Sequence, residues 1–88
     1  MSDSSTLMEF PCDFSLKIIG LASNKFLEEV NWVLTKHYPD TPPSNIHYKY
    51  SENNKYMAIT ATIKARDQVS LDALYRELTQ LPDVKMVL

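Results

Sequence analysis

Three side chains in this 88-residue sequence are of the types from which nucleophilic or acid–base chemistry is assembled: Cys12, His37 and His47. Such chemistry needs a nucleophile held against a base. Cys12 follows Pro11 ahead of the first strand pattern, His37 closes a helical stretch, and His47 falls in the middle of a strand pattern. Nothing in these spacings gathers them. A solitary cysteine near a core behaves as a small apolar residue. No His-x3-His or Cys-x2-Cys spacing is present, and Asp40 and Glu52 stand too far apart in the pattern to complete a metal-ligand set. The expectation is a non-enzymatic chain with no catalytic residues, no metal and no cofactor.

The totals agree with that modest reading. The length allows one domain, and a chain of this size buries only roughly 60–65% of the surface its unfolded form exposes. With 44% hydrophobic and 23% charged residues, it has the composition of a folded globular protein. The net charge of −2 gives no bulk attraction to nucleic acid or an anionic membrane. One cysteine excludes an intrachain disulfide. The start, "MSDSSTLMEF", lacks the basic and apolar regions of a signal peptide, and no run reaches the roughly 18 apolar residues of a membrane span. A reduced cytoplasmic protein is expected.

Residues 1–13 read as an N-terminal tail, with Leu7, Met8 and Phe10 tucked against the body, and residues 14–88 as a single domain. From Phe14 the apolar period is two: Phe14, Leu16 and Ile18 alternate with Ser15, Lys17 and Ile19. Gly20, the single glycine, is expected to end this strand as a hinge, leading to a helix capped at Ser23 or Asn24. That helix carries Phe26, Leu27, Val30, Val33 and Leu34 on one stripe and stops at "YPDTPP". Ile46, Tyr48 and Tyr50 alternate with Asn45, His47 and Lys49 in a second strand. "SENNKY" makes a hairpin turn, because asparagine tolerates left-handed angles. In the third strand Met57, Ile59, Ala61 and Ile63 face one way. Asp67 caps a second helix with the stripe Leu71, Leu74, Tyr75, Leu78 and Leu81, and "VKMVL" closes the chain as a last strand. The order is that of an α+β, ferredoxin-like βαββαβ sandwich, a four-stranded antiparallel sheet with two helices on one face.

Such a fold leaves the second sheet face uncovered. Alternation assigns to it Ser15, Lys17 and Ile19; Asn45, His47 and Lys49; Tyr56, Ala58, Thr60, Thr62 and Lys64; and Lys85 with Val87. It would hold four lysines and no carboxylate, with Ile19, Ala58 and Val87 as the apolar centre of a contact with a partner or a second copy. Lys17, Ile19, His47, Lys49, Tyr56, Lys64 and Lys85 are the candidate contact residues. RNA-recognition sheets stack bases on several aromatics of the central strands. Here Tyr56 alone points outward from them, so nucleic-acid binding is a minor alternative. Trp32 lies nearly opposite the helix stripe and is a candidate interface residue.

"LMEFPCDFSLKIIG", "YKYSENNKYMAITATIKA" and "LYRELTQLPDVKMVL" together resemble the YbeD-like family of small bacterial proteins over nearly the whole chain. The resemblance implies an αβ-plait similar to the ACT regulatory domains and carries no assigned catalytic or ligand residue. ACT domains bind small effectors at the loop after the first strand. The matching positions, Gly20, Leu21, Ala22, Ser23 and Asn24, are the effector loop this likeness implies, for an amino acid or similar carboxylate. The expected function is a small regulatory or protein-interaction module, homodimeric or bound to another protein, with an ACT-like small-molecule sensor as the alternative.

Overall fold

A computed structural model describes residues 11–88; the expected packing of Leu7, Met8 and Phe10 lies outside these residues. The elements are β1 (Cys12–Leu21), α1 (Asn24–His37), a 3-10 turn (Pro43–Asn45), β2 (Ile46–Tyr50), β3 (Tyr56–Ala65), α2 (Gln68–Thr79) and β4 (Val84–Val87). The strands form one antiparallel sheet in the order β2-β3-β1-β4. This is the ferredoxin-like arrangement that the alternation predicts.

The core lies between the helices and one sheet face. Leu16 and Ile18 of β1, and Met57, Ile59, Ala61, Ile63 and Ala65 of β3, are buried there against Phe26, Val30, Val33 and Leu34 of α1 and Leu71, Leu74 and Leu78 of α2. Period two on the strands and period 3.6 on the helices thus converge on one apolar layer. Ser23 caps α1, its Oγ accepting from Phe26 N at 3.0 Å, and Asp67 caps α2 by accepting from Ser70 N at 2.7 Å. Asn54 takes the left-handed conformation of the hairpin turn, with φ of 60°.

Several local expectations change. β1 begins at Cys12, and Asp13 stands opposite Lys64 in register. Gly20 does not end the strand: it pairs with Met57 and Val84, and its φ is not positive. A Cβ there would collide with the carbonyl oxygen of Asp83 and come within 2.7 Å of the Phe26 ring. The glycine therefore serves close packing of β4 and α1 on β1, not a hinge. Asn45 belongs to the 3-10 turn, where its Nδ2 donates to Thr62 O at 3.1 Å. Tyr48 and Tyr50 share the helix-side face but stay exposed, because β2 is an edge strand.

Val87 is the clearest reversal. Ile19 pairs with Met86 and Gly20 with Val84, so Lys85 is an extra residue in a bulge. The bulge shifts the alternation by one. Val87 consequently pairs with Ile18 and packs against the core, and Met86 stands opposite Ile19 on the other face.

Candidate functional site: the open sheet face

The face away from the helices is built from adjoining rows of cross-strand partners. Lys49, Ala58, Ile19 and Met86 line up across all four strands, with Tyr56 and Leu21 paired beside them. His47, Thr60 and Lys17 form the next row, and beyond it Ser15 Oγ and Thr62 Oγ1 lie 2.9 Å apart. Ile19, Leu21, Tyr56 and Ala58 are only half-buried, and Met86 is 50% exposed. An apolar patch thus occupies the hairpin end of the face.

Its surroundings are cationic. Lys17 and Lys49 flank the patch, Lys85 lies next to Met86 at the β4 edge, and Lys64 is further along β3. All four are exposed. Lys55 places its Nζ 5.6 Å from the centre of the Tyr56 ring, close enough for a cation–π attraction. Asp13, opposite Lys64, adds a carboxylate at the far end that the sequence pattern did not assign to the face. A hollow of about 150 Å³ opens beside the patch, lined by Ile19, Lys49, Tyr50, Tyr56, Met57 and Ala58.

The expected effector loop is already committed to structure. Gly20 and Leu21 are in β1; Leu21 N donates to Asp83 O and Ala22 N to Lys55 O, each at 3.0 Å. Ser23 spends its hydroxyl on the cap, and Asn24 is the exposed first residue of α1.

A larger hollow, about 420 Å³, lies where α1 ends; Tyr38, Asp13, Asp40, Asn45, Lys64 and Arg66 contribute to its wall. The Arg66 guanidinium sits 4.4 Å from the centre of the Tyr38 ring and donates to His37 O at 2.9 Å. Tyr38 is 4% exposed, and its hydroxyl finds no hydrogen-bond partner among the described residues. Sequence reasoning missed this hollow, because Tyr38 reads there only as part of a helix stop.

The candidate chemical residues stay apart. Cys12 pairs with Ala65 and packs against the core, whereas His47 is exposed on the opposite face. His37 Nε2 lies 2.8 Å from Glu77 Oε1, whose other oxygen is 3.2 Å from Lys36 Nζ. The hydrogen bond with His37, supported by Lys36, holds the Glu77 carboxyl below its ordinary value. Among the described residues, no group of three or more His, Cys, Asp or Glu could hold a metal ion. No helix there is long and apolar enough to cross a membrane. Trp32 is 62% exposed on α1, with Lys36 Nζ 5.1 Å from its ring centre.

Comparison with known proteins gives the family. Residues 5–88 match the family described as "Protein of unknown function (DUF493)". The chain belongs to the DUF493 family. Similar members include a UPF0250 protein of Chromobacterium violaceum, 38% identical and matched over 100% of both chains. Another is UPF0250 protein NE1487 of Nitrosomonas europaea, 35% identical over 94% of this chain and 95% of that one. The family resemblance read from the sequence therefore holds. Among solved structures, the ACT domain from GTP pyrophosphokinase of Chlorobium tepidum has a TM-score of 0.67 at 19% identity, covering 88% of this chain and 95% of that one. Protein HP0495 of Helicobacter pylori has a TM-score of 0.68 at 17% identity, covering 100% and 94%. At these identities the likeness is one of fold.

Proposed function

We propose that this DUF493 chain is a small, non-enzymatic, cytoplasmic interaction module that regulates by engaging another protein through the open face of its sheet. The observation that carries this reading is the patch of Ile19, Leu21, Tyr56, Ala58 and Met86, over which no described helix lies. Helices cover the other face of the same sheet, and a contiguous apolar area ringed by polar groups is the usual anatomy of an interface. Capture from a lysate of the source cells with wild type, Ala58→Arg and Trp32→Ala tests it. Loss of the captured protein with Ala58→Arg but not with Trp32→Ala supports the sheet face. The reverse pattern assigns docking to the helix layer and removes the proposal.

One observation favours a second reading, a small-molecule sensor. The hollow at Tyr38 falls within the roughly 300–1,000 Å³ of small-ligand pockets. Its wall sets Lys64 and Arg66 beside Asp13 and Asp40, a mixed set suited to an amino acid, and the buried Tyr38 hydroxyl has no partner among the described residues. A thermal-shift panel of amino acids tests it, since ligand at about 100 times its Kd adds about 2.7 kcal/mol of stability. A shift abolished by Lys64→Ala supports this reading; no shift with any compound removes it.

A further inference from the structure

Resting on the interaction reading, we infer that the occupant of the open face is a carboxylate-flanked apolar segment of a different protein, and not a second copy of this chain. The charge pattern argues for it. The chain carries −2 in total, yet among the described residues this face exposes Lys17, Lys49, Lys64 and Lys85 against one carboxylate, Asp13, opposite Lys64. Two such faces brought together would set lysines against lysines around a shared apolar centre, and like charges juxtaposed in an interface oppose association. A segment with Asp or Glu on either side of one apolar ridge meets Lys17, Lys49 and Lys85 around the patch with opposite charge.

The relief points to the same occupant. The hollow beside the patch, about 150 Å³, is smaller than the roughly 300–1,000 Å³ of small-molecule pockets. It suits one large apolar side chain used as an anchor. Lys49 lines this hollow, so a carboxylate near the anchor would meet an ammonium as the side chain enters. Nucleic acid, the other polyanion, binds open sheets by stacking bases on several aromatics. This face offers Tyr56, whose ring already has Lys55 beside it.

The test couples lysine amines to contacting carboxylates with a carbodiimide, after the full chain is incubated in a lysate of the source cells. Mass spectrometry then maps the links. The expected result is Asp- or Glu-containing peptides of another protein joined through Lys17, Lys49 or Lys85. Links between two copies of this chain, links confined to other lysines, no links, or capture abolished by nuclease would each overturn the inference. Charge reversal separates it from the broader reading. The Lys17→Glu/Lys49→Glu variant is expected to weaken capture about tenfold or more, and wild-type capture to fall as salt rises. Should Ala58→Arg abolish capture while the charge reversal leaves it intact, the face remains the docking surface and the acidic occupant is ruled out. Should neither variant change capture, both readings fall. Circular dichroism and melting curves establish that each variant is folded, and Ile19→Lys replaces Ala58→Arg where it is not.

Discussion

Glu77 on α2 reaches the last residue of α1, its Oε1 2.8 Å from His37 Nε2, while Lys36 Nζ lies 3.2 Å from its other oxygen. Lys36 also stands over Trp32, so one carboxylate organises an exposed tryptophan, a lysine and a helix terminus. The folded carboxyl titrates below the unfolded value of 4.5. A group shifted in this direction contributes stability that is fully present above that value and is lost as pH falls through the folded one. Melting curves should show wild type more stable than Glu77→Gln above about pH 4.5, with the gap closing only as pH falls further, through the folded value. A gap that is constant with pH would contradict this coupling.

Gly20 is required by proximity. Substitution by alanine should cost about 1–3 kcal/mol in urea denaturation, the usual range for overpacking a tight site. The double variant Gly20→Ala/Phe26→Leu should recover part of the cost of overpacking, because a ring in the way is removed while the Asp83 carbonyl remains. Full wild-type stability of the single variant would show that β4 moves aside freely.

Ser23→Ala removes the acceptor for Phe26 N. Loss of such a cap costs about 0.5–2 kcal/mol. Ser23→Asp should retain most of the stability, since it keeps an acceptor at the positive end of the helix dipole. Chemical denaturation of the three proteins checks the order.

Asn54 supplies the positive φ of the hairpin. Asn54→Val should destabilise by about 1–2 kcal/mol, the penalty a side chain branched at Cβ meets in this region. Asn54→Gly should be neutral or mildly stabilising. Equal stability of Asn54→Val and wild type would mean that the turn rearranges at no cost.

Leu74 is fully buried between α2 and the sheet. Leu74→Ala should lose about 2–5 kcal/mol, combining lost transfer energy with a residual cavity. A smaller loss, seen as a smaller drop in the denaturation midpoint, would indicate that the helices collapse into the space.

The order of elements was legible because β3 alternates without interruption from Tyr56 to Ala65 and both helices carry clean stripes ending at strong stop signals. The open face was read less completely, and each gap has a local cause. Alternation predicts facing only while the pairing register is unbroken, so one bulge at Lys85 exchanged Val87 for Met86. Asp13 was missed because a strand start has no punctuation of its own in "PCDFS". Tyr48 and Tyr50 lie on the helix side yet stay exposed, because alternation reports side, not cover, and an edge strand can lie beyond the reach of the helices. The hollow at Tyr38 arises from the meeting of a helix end, a turn and two strand ends, which no single stretch encodes.

The bulge has a consequence beyond re-aiming two side chains. A sheet with one bare apolar face risks adding strands from neighbouring molecules along its rims and growing into aggregates. Here one rim is the five-residue β2, and the other is the four-residue β4 interrupted after Val84. Both rims are short, and the irregular one twists away from flat pairing. The short and irregular rims therefore give strands of neighbouring molecules little edge on which to polymerise.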